Sequence, residues 1–301
     1  MSSGIGGGDS RLVEAAFGSR IDVATPKPPE ARPWLVRELV GMLRDIGVVA
    51  GDVLMVHSTL RGVGPVEGGA QGVLAALLEA VGPCGTLVMP AYTEENSDTS
   101  WAFLRATDGL SESEREAYKR AMPPFDPMWT AASRTMGALP EVLRRTPGAV
   151  RSSHPQASFA AIGLLADGIM RHHNPASHFG EQSPLARLYS LPDAKVLMLG
   201  TAFVTFSAFH LAEYLQPKLA TRQYRCVIPD GLGRAMWFTY EDVVLDLRDF
   251  DRIGAAMLEH LATGEGYIGS ARSLLVPLAP AVAFGIDWMA RNRADGQAAV
   301  A

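Results

Sequence analysis

Apolar and polar positions repeat with two different periods along this chain, and the switches between them outline its elements. "PEARPWLVRELVGMLRDIGV" has prolines at its start and apolar residues at helical spacing, which predicts an amphipathic helix ending at Gly47. "VLMV" is a short apolar run after a turn signal and predicts a buried strand ending at His57. A glycine-punctuated loop, a helix over "AQGVLAALLEAVG" and a second strand over "CGTLVMPAY" follow. This strand–loop–helix–strand order implies a parallel sheet with crossover helices. Ligands in such sheets bind beyond the carboxyl ends of the strands, where His57 and the residues after Tyr92 fall.

The segment 93–133 reads as a long irregular insertion carrying one acidic helix, "SESEREAYKRA". "MGALPEVLRRTPG" predicts a helix stopped by Pro147 and Gly148, "SFAAIG" a strand, and "LLADGIMRHH" a helix. The loop "NPASHFGEQSPLARL" comes next, then a buried strand "KVLMLGT" and a helix "VTFSAFHLAEYL". In "RQYRCVIP" and "RAMWFTY" the period drops to two, which predicts antiparallel strands. Two helices are expected to close the chain. "LLVPLAPAVAFGI" reads as a strand running into a core helix, because it is short, holds two prolines and is followed by Asp287. The expected class is α/β, with a largely parallel central sheet, flanking helices and a smaller antiparallel part. The glycine-rich start "MSSGIGGGDS" predicts a flexible tail over residues 1–30, followed by one domain over 31–301 with the insertion at 93–133.

Composition narrows the function classes. The chain has 301 residues, 48% hydrophobic and 20% charged, which suits a globular protein with a sizeable core. A formal net charge of −5 without a Lys/Arg block disfavours binding nucleic acid through its phosphates and tolerates cationic ligands. Two cysteines without a CxxC support neither a disulfide framework nor a thiolate metal site, and they point to a reducing, cytoplasmic setting. The N-terminus has no basic n-region and no apolar h-region, so neither secretion nor a membrane anchor is expected. No HExxH or HxH motif suggests a metal, and no GxSxG suggests an α/β-hydrolase.

Several residues could carry chemistry. The loop "HSTLRGVGPVEGG" follows a strand and precedes a helix, so its backbone and Arg61 could meet a phosphate; the same pattern is equally that of a tight strand-to-helix turn. His178 lies in a loop marked by Pro175, Gly180 and Pro184 and has the chemistry of a general base, or of an ordinary surface histidine. His210 and Glu213 are spaced i, i+3 on one helix face, either as an acid orienting a histidine or as a helix-surface or core polar pair. His154 reads as a turn residue, and His172 and His173 as solvated residues at a helix end.

Taken together, "VHSTLRGVGPVEGGAQGVLAALLEAVGPCGTLVMPAY", "PPFDP", "PGAVRSSHPQASFAAIG", "HFGEQSPLARL", "KVLMLG" and "HLAEY" resemble, in identity and order, the aminoglycoside 3-N-acetyltransferase family, also called the antibiotic N-acetyltransferases. The resemblance runs from about Val36 to the last helix. It implies that family's α/β fold, acetyl-coenzyme A as donor, no metal, and direct transfer to an amine, with antibiotic resistance as the outcome. It assigns His178 as catalytic base and Glu213 as its support. The coenzyme A loop carries to His57, Ser58, Thr59, Leu60, Arg61, Val63 and Gly64. Many members have an aspartate after the second strand, where this chain has "AYTEENSD"; Glu94 is the nearest candidate, and Tyr92, Asp126 and Glu181 are the other residues expected to bind the acceptor. The expected partners are a small-molecule amine and coenzyme A, with a homodimer left open.

Three functions remain in competition on the sequence. One is acetylation of the 3-amino group of a 2-deoxystreptamine aminoglycoside. Another is acetylation of a different, biosynthetic amine, which the divergent insertion motivates. The third is a binding or regulatory protein that kept the fold and lost catalysis, and the retained His178 and Glu213 weigh against it.

Overall fold

The computed structural model describes residues 32–293. The expected tail over 1–30 lies outside the described residues, as do residues 294–301. Helix α1 (Val36–Asp45) buries Leu39, Val40 and Leu43 at helical spacing. Its first turn is closed by the Leu35 amide, which donates to Glu38 Oε2 at 3.0 Å. After it come β1 (Val53–Ser58), the short α2 (Leu60–Val63), α3 (Gly69–Val81) and β2 (Thr86–Pro90). The insertion holds α4 (Trp101–Ala106) and α5 (Glu112–Ala121). Next are α6 (Ala138–Arg144), β3 (Val150–Arg151), β4 (Phe159–Gly163), α7 (Ala166–Met170), α8 (Pro184–Tyr189), β5 (Lys195–Leu199) and α9 (Ala208–Tyr214). The chain then forms β6 (Thr221–Pro229), β7 (Ala235–Val243), α10 (Phe250–Leu258), β8 (Gly264–Ile268), β9 (Ala271–Pro277) and α11 (Leu278–Asn292).

Seven strands make one sheet in the order β3-β4-β2-β1-β5-β9-β8. β1 pairs in parallel with both β2 and β5. β4 and β3 on one side, and β9 and β8 on the other, are antiparallel. The class is α/β, with the parallel strands at the centre and antiparallel strands at both flanks as well as in the separate two-stranded sheet of β6 and β7.

Side chains alternate across a strand, so the sheet splits the core in two. Leu54 and Val56 face a layer containing Leu39, Leu77 and Leu143 from α1, α3 and α6. Met55 faces the other layer, with Leu185, Phe209, Phe250 and Val282 from α8, α9, α10 and α11. His57 shares the parity of Met55 and so points into the second layer, where it lies against Phe206. The carboxyl ends of β2, β1 and β5 lie along one edge, which brings Tyr92, His57 and the start of α9 together.

Two local expectations change. The insertion contains two helices, and it is tied to the hairpin: the Val227 amide donates to the Asn96 carbonyl at 2.8 Å and the Phe125 amide to the Val227 carbonyl at 3.1 Å. The closing helices are separated by the β8–β9 hairpin, whose first strand, "GEGYI", has too little apolar patterning to be read alone and is set by pairing with β9.

Gly163 ends β4 with φ +123°, and a Cβ there would stand 2.2 Å from the Gly85 carbonyl oxygen. Gly163→Ala is therefore expected to lower unfolding stability by about 2 kcal/mol or more, from backbone strain and a clash with an immovable backbone atom. Chemical denaturation checks this; an unchanged midpoint would contradict the close approach.

Candidate active site

The 171–183 loop is built from short-range polar contacts. His172 adopts the left-handed region at φ +47°. The Asn174 side chain accepts from the Ala176 amide at 3.0 Å, an Asx turn. Ser183 caps α8 by accepting from the Ala186 amide at 3.1 Å, with Pro184 in the first turn. His173 crosses beneath the loop. Its Nε2–H donates to the His178 carbonyl at 2.9 Å, and its Nδ1 accepts from Ser152 Oγ at 3.0 Å.

His178 is buried and meets the hairpin. Period-two alternation puts Tyr240 and Asp242 of β7 on one face, and both reach it. Asp242 Oδ2 accepts from His178 Nδ1 at 2.6 Å, from the His178 amide at 2.7 Å and from the Tyr214 hydroxyl at 2.6 Å. His178 Nε2 faces the Tyr240 hydroxyl at 3.0 Å, and that hydroxyl donates its one proton to Gln156 Oε1 at 2.6 Å. Tyr224 packs edge-on at 4.5 Å and His154 lies at 4.8 Å, so much of the ring surface of His178 is covered.

Glu213 does not join His178. Its Oε2 accepts from His210 Nδ1 at 2.7 Å, and its Oε1 accepts from Arg293 Nη1 at 2.7 Å and from the Asp246 amide at 3.0 Å. The carboxylate can only accept, so His210 Nδ1 carries the proton and Nε2 keeps its lone pair. His210 Nε2 makes no hydrogen bond among the described residues, and the side chain is 11% exposed. Phe179 lies parallel to this imidazole at 5.1 Å, and Phe250 packs tilted at 4.8 Å. Among the described residues the structure thus holds two acid–imidazole pairs: Asp242–His178, whose outer nitrogen is closed in by Tyr240, and Glu213–His210, whose outer nitrogen has no partner. The expected His178–Glu213 pair is not formed.

The remaining sequence candidates are spread around this edge. Tyr92 donates to Ser207 Oγ at 2.9 Å, and burial pushes its phenol up. His57 is buried with its Nε2 unpartnered among the described residues. Burial, and then Glu95, raise the half-buried Glu94 carboxyl. Asp126 is exposed and accepts from the Met128 and Trp129 amides, holding its own turn. Glu181 is exposed on the loop. In the "HSTLRGVG" segment, Ser58 ends β1, the Thr59 amide donates to the Leu199 carbonyl at 2.9 Å, and Leu60, Arg61 and Val63 form α2. Val63 is buried, Arg61 is exposed without a hydrogen bond among the described residues, and Gly64 turns the chain at φ +84°. Sequence reading missed Asp242, Tyr240, Tyr214 and Arg293. Only the β7 alternation pointed at the first two. Among the described residues no group of three His, Cys, Asp or Glu side chains is arranged to hold a metal ion, and no helix is long and apolar enough to cross a membrane.

The family described as aminoglycoside 3-N-acetyltransferase matches residues 55–290. The chain is similar to the prophage-derived aminoglycoside N(3')-acetyltransferase-like protein YokD of Bacillus subtilis, 33% identical over 83% of this chain and 90% of that protein. The YokD crystal structure superposes with TM-score 0.82, at 31% identity over 88% of this chain and 97% of that one. AAC-IIIb, solved as a binary complex with CoASH, gives TM-score 0.75 at 32% identity, covering 86% and 97%. AAC-VIa bound to sisomicin gives TM-score 0.73 at 33% identity, covering 86% and 99%.

Burial holds four imidazoles neutral: His57 is pushed down to about 3, His173 to about 4, and His154 and His178 are lowered, with Asp242 opposing the effect at His178. Unfolded histidines bind a proton near pH 6.5, so below that value the unfolded chain holds more protons than the folded one. Their stabilisation is complete above about pH 6.5 and is lost on acidification at about 1.4 kcal/mol per pH unit for each such histidine. Urea midpoints are expected to be level above neutrality and to fall steeply from about pH 6.5 to 5. A midpoint at pH 5 equal to that at pH 7 would mean that these rings charge freely in the folded state.

Proposed function

The chain belongs to the aminoglycoside 3-N-acetyltransferase family, and from that premise we infer that it moves the acetyl group of acetyl-coenzyme A to an amino group of an aminoglycoside, with His210 as general base and Glu213 as its orienting acid. The observation that carries this reading is the Glu213–His210 pair, whose Nε2 has no partner among the described residues and lies at the carboxyl edge of the parallel strands. An amine must lose a proton as it attacks the thioester. The new N–C bond forms, the C–S bond breaks, His210 Nε2 takes the proton from nitrogen, and the thiolate of coenzyme A takes it in turn. Glu213 fixes the imidazole tautomer and stabilises the imidazolium, and Arg293 Nη1 holds Glu213 Oε1 at 2.7 Å.

The donor is assigned to the segment from His57 to Gly64. Its support is the exposed Arg61 cation and the turn at Gly64, together with the CoASH complex of AAC-IIIb. The acceptor class follows the sisomicin complex of AAC-VIa, with Tyr92, Glu94, Asp126 and Glu181 as candidate contacts. A second reading keeps His178 as the base with Asp242 in the place expected of Glu213, and the 2.6 Å Asp242–His178 bond favours it.

His210→Ala is expected to lower turnover by about 10²–10⁴-fold, with coenzyme A binding retained. Glu213→Gln should also slow turnover, and the two losses should not add, since the residues act as one unit. Native turnover in folded His210→Ala, with loss in His178→Ala, would move the base to His178. Free-thiol release with an amine panel tests the acceptor: turnover only with amines that are not aminoglycosides would move the substrate.

Arg61→Ala should raise the coenzyme A dissociation constant roughly tenfold, the worth of one charge-assisted phosphate contact. Calorimetry reads this directly, and an unmoved constant removes Arg61 from the donor site.

A further inference from the structure

We propose that Phe179 is a positioning residue for the transfer step: its ring stacks flat on His210 and holds that imidazole for proton uptake, and Asp242, by clamping His178, sets Phe179 in place. This rests on the reading of His210 as the base. Phe179 and His210 are coplanar in orientation, with 0° between the rings and centroids 5.1 Å apart. Phe179 is buried and boxed edge-on by Phe159 and Tyr214, at 6.2 and 6.4 Å, and by tilted Tyr92 at 5.8 Å. The residue before it is fixed twice, since Asp242 accepts from both the backbone amide and the side chain of His178. The residue after it, Gly180, is tied to the next helix, since its carbonyl accepts from the Ser183 amide at 2.8 Å. The backbone on both sides of Phe179 is therefore constrained.

The chemical consequence follows from charge. The face of a phenyl ring is the negative pole of its quadrupole. It attracts a cation lying over it more than a neutral ring. His210 is neutral before it takes the amine proton and cationic after, so the stack strengthens along the reaction, as a rate-raising contact must. This also gives the enclosed Asp242–His178 pair a role that needs no open nitrogen.

The test uses the full chain with Phe179→Leu, Phe179→Tyr and Asp242→Asn. Steady-state kinetics are combined with proton–carbon NMR of the histidine Cε1–H groups, with the His210 signal identified by its loss in His210→Ala. Phe179→Leu is expected to lower kcat about tenfold, the size of one cation–π contact made only in the charged state, with the acetyl-coenzyme A KM unchanged. The ring-current displacement of the His210 signal should disappear in Phe179→Leu. Phe179→Tyr should restore both. Asp242→Asn, which leaves the ring present, should displace the His210 signal and lower kcat, and it serves if Phe179→Leu does not fold. Native kcat and an unmoved His210 signal in either folded variant overturn the proposal. An inactive His210→Ala beside a native Phe179→Leu sinks this inference alone, whereas an active His210→Ala sinks the assignment of the base and this inference with it.

Discussion

A buried carboxylate must have its lone pairs filled, and Asp242 meets that demand by joining three elements that are far apart in the chain. Its Oδ2 takes the His178 side chain and amide from the 171–183 loop and the Tyr214 hydroxyl from α9, and its Oδ1 takes the Val243 amide of its own strand. The β6–β7 hairpin has no strand pairing with the seven-stranded sheet. Its attachment is made by side chains and a few backbone bonds, and this carboxylate accepts three of them. Removing one partner of such a centre leaves another polar group buried and unpaired, which costs more than the bond itself contributed.

The protein uses acid–imidazole pairing twice, to opposite ends. At His178, Nδ1 is bound to Asp242, Nε2 is closed in by the Tyr240 hydroxyl, aromatic rings close the surroundings, and burial favours the neutral ring. At His210, Glu213 is held by Arg293 and the Asp246 amide, while the outer nitrogen has no partner among the described residues. A base needs a lone pair that the substrate can reach, and that requirement separates the two pairs where residue type does not. Both pairs are linked through the same short peptide, because Phe179, which follows His178, lies on His210.

Much of the fold was legible because its elements are written in local patterns. The runs "VLMV" and "KVLMLGT" were apolar enough to be buried strands, and the alternation of "RQYRCVIP" and "RAMWFTY" was that of antiparallel strands. The weakly patterned pieces were missed. β8 is held by its pairing with β9, and α4 is six residues capped by Ser100, too short for periodicity to show. Sheet direction at the flanks also escaped, since a strand's own sequence does not say which way its neighbour runs.

The same division runs through the candidate site. His210 and Glu213 are three residues apart, and helix geometry alone puts them on one face, so their contact was present in the sequence. His178 and Asp242 are 64 residues apart, and nothing in the loop names a partner. Their meeting depends on how the hairpin docks on the domain, which is decided by the combined packing of Tyr224, Tyr240 and the 171–183 loop. The sequence by itself determined the chemical groups, the edge of the sheet where they gather, and the one pair that a helix fixes. Only the tertiary structure decided which histidine is sealed and which keeps a free nitrogen, because burial is a property of the assembled surroundings and not of the residue.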